Sequence, residues 1–133
     1  MHILKILTDK RKKGNIAESA VCRYLKKRHY KILHRNYVAE GHEIDIIAEN
    51  KEHICFVEVK SRSERSKNPY CMRPADAVDR AKKNSIITAA RAFTAANFGC
   101  KKYRFDVAEV FLGENSKILE INYLESAFTL SGR

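Results

Sequence analysis

Most of the chain alternates apolar and polar positions over short runs, while two longer segments repeat apolar residues at three- and four-residue spacing. The first pattern predicts strands and the second predicts helices. One helix is expected from Asn15 to about Arg28, with Ile16, Ala17, Ala20, Val21, Tyr24 and Leu25 forming one stripe. Tyr30 to Val38 reads as a strand, with Ile32 facing one way and Leu33 the other. Two apolar runs, Ile44 to Ala48 and Ile54 to Val59, flank the polar break Glu49-Asn50-Lys51-Glu52 and predict an antiparallel hairpin. Ser61 to Arg73 is polar, aperiodic and carries Pro69; it reads as a loop placed to cover or grip a substrate strand. Tyr70 within it either stacks on a base or packs under the loop. Pro74 opens a second helix, about Ala75 to Asn97, burying Ala77, Val78, Ala81, Ile86, Ala89, Ala90 and Phe93. Phe98-Gly99 ends it, and strands follow at Tyr103 to Leu112 and Lys117 to Leu124, separated by the turn at 113–116. The order α-β-β-β-α-β-β predicts a single α/β domain with a mixed sheet, in which the second helix is the crossover that parallel pairing requires. Residues 14–133 form this domain, preceded at 1–13 by a basic arm that is either a short helix or a segment ordering on nucleic acid.

The hairpin carries the chemistry. Side chains alternate faces along a strand, so Glu43 and Asp45 share one face of the first strand, and Glu58 and Lys60 share one face of the second. A loop with an even number of residues sets Asp45 directly opposite Glu58, and all four groups converge; an odd loop separates them. Neighbouring carboxylates resist joint ionisation. A hard divalent cation such as Mg²⁺ or Mn²⁺ removes that conflict, because it favours oxygen ligands and takes one or two carboxylates plus substrate phosphate. With an ammonium alongside, this is a layout for metal-dependent phosphodiester cleavage. The plainer alternative is a solvated face of alternating charge, which is ordinary in antiparallel sheets. Glu18 has two readings as well: it falls at the edge of the helical stripe, where it looks into a cleft, and Asn15-x-x-Glu18 has capping-box spacing.

Charge narrows the partner. The formal net charge is +10, and residues 1–35 hold eleven basic groups against Asp9 and Glu18. Such asymmetry marks a polyanion partner, with Lys12, Lys13, Lys26, Lys27 and Arg35 as phosphate contacts in this stretch and Arg62 beyond the hairpin. A solubilising basic face is the alternative. The four cysteines show no metal-ligand spacing, and Cys22 and Cys55 read as small buried hydrophobes, with His42 or His53 only a minor candidate for a Cys/His site. No window has the length and apolarity of a membrane span or a signal peptide, so a soluble cytoplasmic protein with no membrane partner is expected.

Six blocks in order carry a resemblance: G-N-I-A-E-S-A at 14–20, R-N at 35–36, E-I-D-I-I at 43–47, F-V-E-V-K at 56–60, A-V-D-R-A-K at 77–82 and R-F-D-V at 104–107. They resemble the PD-(D/E)xK nuclease superfamily and, more closely, the small bacterial YraN-like family, which is similar in fold to Holliday-junction resolvases. The resemblance implies a restriction-endonuclease-like αβββαβ core and a Mg²⁺- or Mn²⁺-dependent endonuclease acting on DNA, with branched or damaged DNA as the substrate class. It implies Asp45 and Glu58 as metal ligands with the Val59 carbonyl, Lys60 activating the attacking water, Glu18 near the metal, and Lys82 on phosphate. It also implies structural pairing of Asp106 with Arg104 or another basic residue, and a homodimer for cutting two strands. His42 departs from the family, which has glycine before E-I-D; Gly41 lies one position earlier, and an imidazole is added beside the site. The alternatives are a non-catalytic nucleic-acid-binding protein retaining the nuclease fold and, on basicity alone, an RNA-processing factor.

Overall fold

The computed structural model describes residues 2–63, 79–97, 99 and 101–129, with side chains from residue 11 onward. Its elements are α1 (His2–Lys27), β1 (Lys31–Ala39), β2 (His42–Glu49), β3 (His53–Ser63), α2 (Arg80–Ala96), β4 (Lys102–Leu112) and β5 (Ile118–Phe128), with a 3₁₀ turn at Glu114–Ser116. The strands form one mixed sheet in the order β1-β2-β3-β4-β5, in which only β3 and β4 are parallel, joined through α2. The α/β architecture expected from the sequence, the restriction-endonuclease-like αβββαβ core, is therefore present, and β5 extends it.

The two helices cover opposite faces. Ala17, Val21, Cys22 and Leu25 of α1 pack on Ile46, Cys55, Val57, Ala108 and Val110. Ile86, Ala89, Ala90 and Phe93 of α2 pack on Ile47, Phe56, Phe105, Val107 and Phe128. Phe93 meets Phe56 edge to face at 5.9 Å, the arrangement favoured by the ring quadrupoles. Ile32 joins the α1 side and Leu33 the α2 side, as their alternation requires.

Four boundaries differ from expectation, one of them the end of β5, at Phe128 rather than Leu124. The first helix begins at His2 rather than Asn15 and runs through Gly14. Asn15 is thus interior, and the capping-box role for Glu18 falls away. The strand after the hairpin continues past Lys60 to Ser63, because the parallel ladder with β4 holds it through Ser63–Leu112. The second helix begins at Arg80, where Asp79 adopts an extended conformation and its side chain accepts the Lys82 N–H at 2.8 Å. Ala81, expected to be buried, is exposed in that first turn. Pro69, Tyr70, Pro74, Ala77, Val78, Phe98, Cys71 and Cys100, to which the sequence reading gave roles, lie outside the described residues.

A buried polar cluster ties β4 and β5 to Tyr30, the residue before β1. Asp106 is fully buried and accepts from Arg104 Nε (2.9 Å), Tyr123 Oη (2.6 Å) and the Ser126 N–H (3.0 Å), while Arg104 Nη2 donates to Tyr30 Oη at 2.7 Å. The pairing of Asp106 with Arg104 is as the sequence implied. Removing one member of such a cluster leaves an uncompensated buried charge. Asp106→Ala is expected to cost about 3–5 kcal/mol of unfolding free energy, read as a shifted denaturant midpoint. A loss below about 1 kcal/mol would contradict this account of the cluster.

Candidate functional site

The hairpin loop decides whether the acidic residues meet. Glu49 pairs with Ile54, so four residues turn the chain. Asn50 Oδ1 accepts from the Glu52 N–H (3.0 Å) and the His53 N–H (2.7 Å), and the Asn50 N–H donates to the His53 carbonyl. This Asx-stabilised turn is even-numbered, and the register Ile46–Val57 carries forward to set Asp45 against Glu58.

The two strands part at that point. Beyond Ile46–Val57 the Val59 N–H donates not to a backbone carbonyl but to Asp45 Oδ2 at 2.8 Å. Ile44 packs on the α2 side while Ile46 packs on the α1 side, so β2 rotates between them. On the other flank, Arg35 pairs with Ile46 and Tyr37 with Ile44, but Asn36 between them is skipped and has φ +52°. Asparagine tolerates this left-handed conformation better than most residues. Asp45 consequently sits in a fork of the sheet where groups from both faces reach it.

From α1 comes Glu18, whose side chain is 12% exposed and whose Oε2 is 3.6 Å from Arg35 Nη2. Glu18, Glu43 and Asp45 each present a carboxylate oxygen within 4.8 Å of the others, a spacing able to hold one cation. With its amide oriented to satisfy both neighbours, Asn36 donates to Glu18 Oε1 at 3.2 Å and Glu43 Oε1 at 3.0 Å. From α2 comes Lys82, 3.7 Å from Glu58 Oε1, and Lys60 lies 3.8 Å from the same oxygen. Glu58 is 4% exposed, and among the described residues its Oε2 has no hydrogen-bond partner.

Burial dominates the titration of the site. It raises Glu58 to about 8, reinforced by Asp45, while Lys82 and Lys60 pull the other way. Asp45 is also raised by burial, an effect opposed first by the Val59 N–H. Glu18 is raised by burial and by Asp45, against the Arg35 charge and the Asn36 amide. Burial and the facing Asp45 carboxylate thus favour the protonated form of Glu58.

Of the site residues expected from sequence, Asp45, Glu58, Lys60, Glu18, Glu43 and Lys82 come together in this cluster. The Val59 backbone is fixed beside it through its N–H. His42 is the first residue of β2, after the Glu40–Gly41 turn whose two residues have φ +54° and +74°. Gly41 supplies the left-handed position, so the histidine stands in ordinary strand conformation and leaves the strand entrance intact. Arg62 is not free for phosphate: its guanidinium pairs with the buried Glu109 carboxylate. Arg35 divides between Glu18 and Ser19. Lys12, Lys13, Lys26 and Lys27 are exposed along α1. Asn36 was missed as a site residue, although an asparagine in mid-strand between Arg35 and Tyr37 is itself unfavourable for β structure and was a usable signal.

The uncharacterised protein family UPF0102 matches residues 17–110. The chain belongs to that family. A UPF0102 protein of Caldicellulosiruptor saccharolyticus is 37% identical over 121 residues, covering 90% of this chain and 99% of the relative. One from Clostridium acetobutylicum is 39% identical over 121 residues, covering 90% and 96%. One from Caldanaerobacter subterraneus is 37% identical over 122 residues, covering 90% and 97%. The YraN-like resemblance of the six sequence blocks is thereby borne out. Among the described residues, no helix is long and apolar enough to cross a membrane.

The raised Glu58 gives this UPF0102 protein a pH signature. Its carboxyl binds a proton more tightly in the folded chain than in the unfolded one, where the ordinary value is 4.5. Stability of the cation-free protein should therefore fall as pH rises from about 4.5 through about 8. Glu58→Gln should flatten that slope and be the more stable form at pH 8.5, as measured by denaturation midpoints at pH 5 and pH 8.5. Parallel slopes for the two proteins would contradict the assignment.

Proposed function

We propose that this protein is a Mg²⁺- or Mn²⁺-dependent endonuclease acting on DNA, with branched or damaged DNA as its substrate class. The observation that carries the reading is Asp45 set against Glu58 at a fork in the sheet, with Lys60 beside them. The residues fit a hard divalent cation: the donors are carboxylate oxygens, and Glu58 Oε2 is buried without a partner among the described residues. Asp45, Glu58 and the Val59 carbonyl would hold the ion, with Glu18 and Glu43 on the Asp45 side. When bound, the ion supplies Lewis acidity and an activated water at neutral pH.

The chain's own groups divide the remaining work. Lys60 is about one-third exposed, so its ammonium reaches a phosphate entering from solvent and offsets charge developing there. Lys82 approaches Glu58 from α2 and sets a second positive charge where the backbone would lie. Asn36 holds Glu18 and Glu43 at a fixed separation, so that the acidic flank does not splay under its own repulsion. The basic α1 surface contributes affinity without sequence preference. A homodimer would present two such sites to a branched duplex.

One observation favours a second reading, a non-catalytic nucleic-acid-binding protein that retains the nuclease fold. Lys60 and Lys82 both lie within 4 Å of Glu58 and offset its charge without any ion. The experiment separating the two uses labelled linear, single-stranded and four-way-junction DNA with Mg²⁺, Mn²⁺ or chelator. Asp45→Asn and Lys60→Ala are expected to fold and bind DNA while cutting slower by roughly two orders of magnitude or more. Equal binding in Mg²⁺ and chelator, with no nicked product from the wild type, would establish the binding-only reading. Unchanged cutting by both variants would trace the activity to a contaminant.

A further inference from the structure

Carboxylates converge at two places in the fork, and the two share Asp45. One is Asp45 with Glu58, beside the Val59 backbone. The other is the α1 flank, where oxygens of Glu18, Glu43 and Asp45 lie within 4.8 Å of one another. Resting on the reading of the fork as a metal centre, we propose that Arg35 closes the α1 flank to a metal ion. The fork then takes one divalent cation where its carboxylates alone have room for two.

The strand register puts Arg35 in place. It pairs with Ile46 of β2, and Ile46 packs on the α1 side, so Arg35 points toward α1 as well. Its Nη2 lies 3.6 Å from Glu18 Oε2 and donates to Ser19 Oγ at 3.3 Å. The Asn36 amide, oriented to satisfy both neighbours, donates to the other Glu18 oxygen, Oε1, at 3.2 Å and to Glu43 Oε1 at 3.0 Å. Both oxygens of Glu18 therefore face groups supplied by the chain, one of them a full positive charge. Glu58 differs. Its Oε1 lies near Lys60 and Lys82, but its Oε2 has no hydrogen-bond partner among the described residues. An ion entering the fork meets an oxygen without a donor at Glu58 and a guanidinium at Glu18.

Charge explains why the guanidinium excludes rather than merely neighbours. A positive charge 3.6 Å from Glu18 Oε2 stands close to any ion bound to that oxygen, and a doubly charged ion is repelled twice as strongly as a unit charge. The Arg35 side chain is 40% exposed, so its pairing with Glu18 adds little to stability. Its effect falls on what else Glu18 can bind. Arginine stays protonated across the working pH range, so titration does not release this guard. With a single ion in the fork, charge developing on a phosphate is left to Lys60 and Lys82 instead of a second metal.

The test counts bound Mn²⁺ by electron paramagnetic resonance in the DNA-free protein, with circular dichroism to verify the fold of each variant. Wild type should bind one ion per chain, lost in Asp45→Asn, with no spin coupling. Arg35→Gln and Arg35→Met, two neutral replacements of an exposed side chain, should bind a second ion at least roughly tenfold more tightly than wild type does. Two ions sharing Asp45 should be spin-coupled. Adding Glu18→Gln to Arg35→Gln should return the count to one, and Arg35→Lys, which keeps the charge, should stay at one. Two coupled ions in wild type, or a single ion in both neutral variants, would overturn the role of Arg35 and leave the metal centre standing. So would a second ion that Arg35→Lys also gains, or one that survives the added Glu18→Gln. A wild type that binds no Mn²⁺ overturns the metal centre and the guard together.

Discussion

At the fork where β2 leaves β3, one carboxylate oxygen of Asp45 does the job of a ladder carbonyl by accepting the Val59 N–H. That substitution lets the strands separate without stranding a buried donor. It also pins the Asp45 carboxylate in the plane of the sheet rather than on either face. Glu18 from one helix and Lys82 from the other can then address the same small volume, although the sheet lies between α1 and α2. Asn36 completes the opening on the far flank, where its left-handed backbone omits the rung opposite Asp45.

Such a cluster is electrostatically costly, and the surroundings show how the cost is contained. Desolvation pushes the carboxyls toward their neutral forms, while Lys60, Lys82, Arg35 and the Asn36 amide favour the charged ones. The balance leaves the cluster able to change protonation near neutral pH, with one buried oxygen of Glu58 lacking a partner among the described residues.

Much of this was legible in the chain. The facing of Asp45 and Glu58 needed only strand alternation and an even loop, both visible in the polar break at 49–52. Helix faces and the crossover followed from spacing. The boundaries were less legible, because tertiary contacts set them. Nothing local announces that Ser61 to Ser63 stays extended; the partner ladder on β4 does that. The helix start at His2 likewise overrides Gly14 and Asn15, which read locally as a beginning. Arg62 was misread because Glu109 lies 47 positions away in the chain but across one strand gap in space. Asn36 was overlooked because its importance lies in a backbone angle, which residue type suggests but spacing does not.

The network around Asp106 shares no hydrogen bond or ion pair with the acidic fork among the described residues. One polar cluster clamps the sheet and the other gathers carboxylates and lysines at the fork. Substitutions at the fork can therefore alter its charge while the Asp106 cluster still holds β4 to β5. A change in one cluster imposes little penalty on the other, so the scaffold is open to reuse for tasks that need only its electropositive surface.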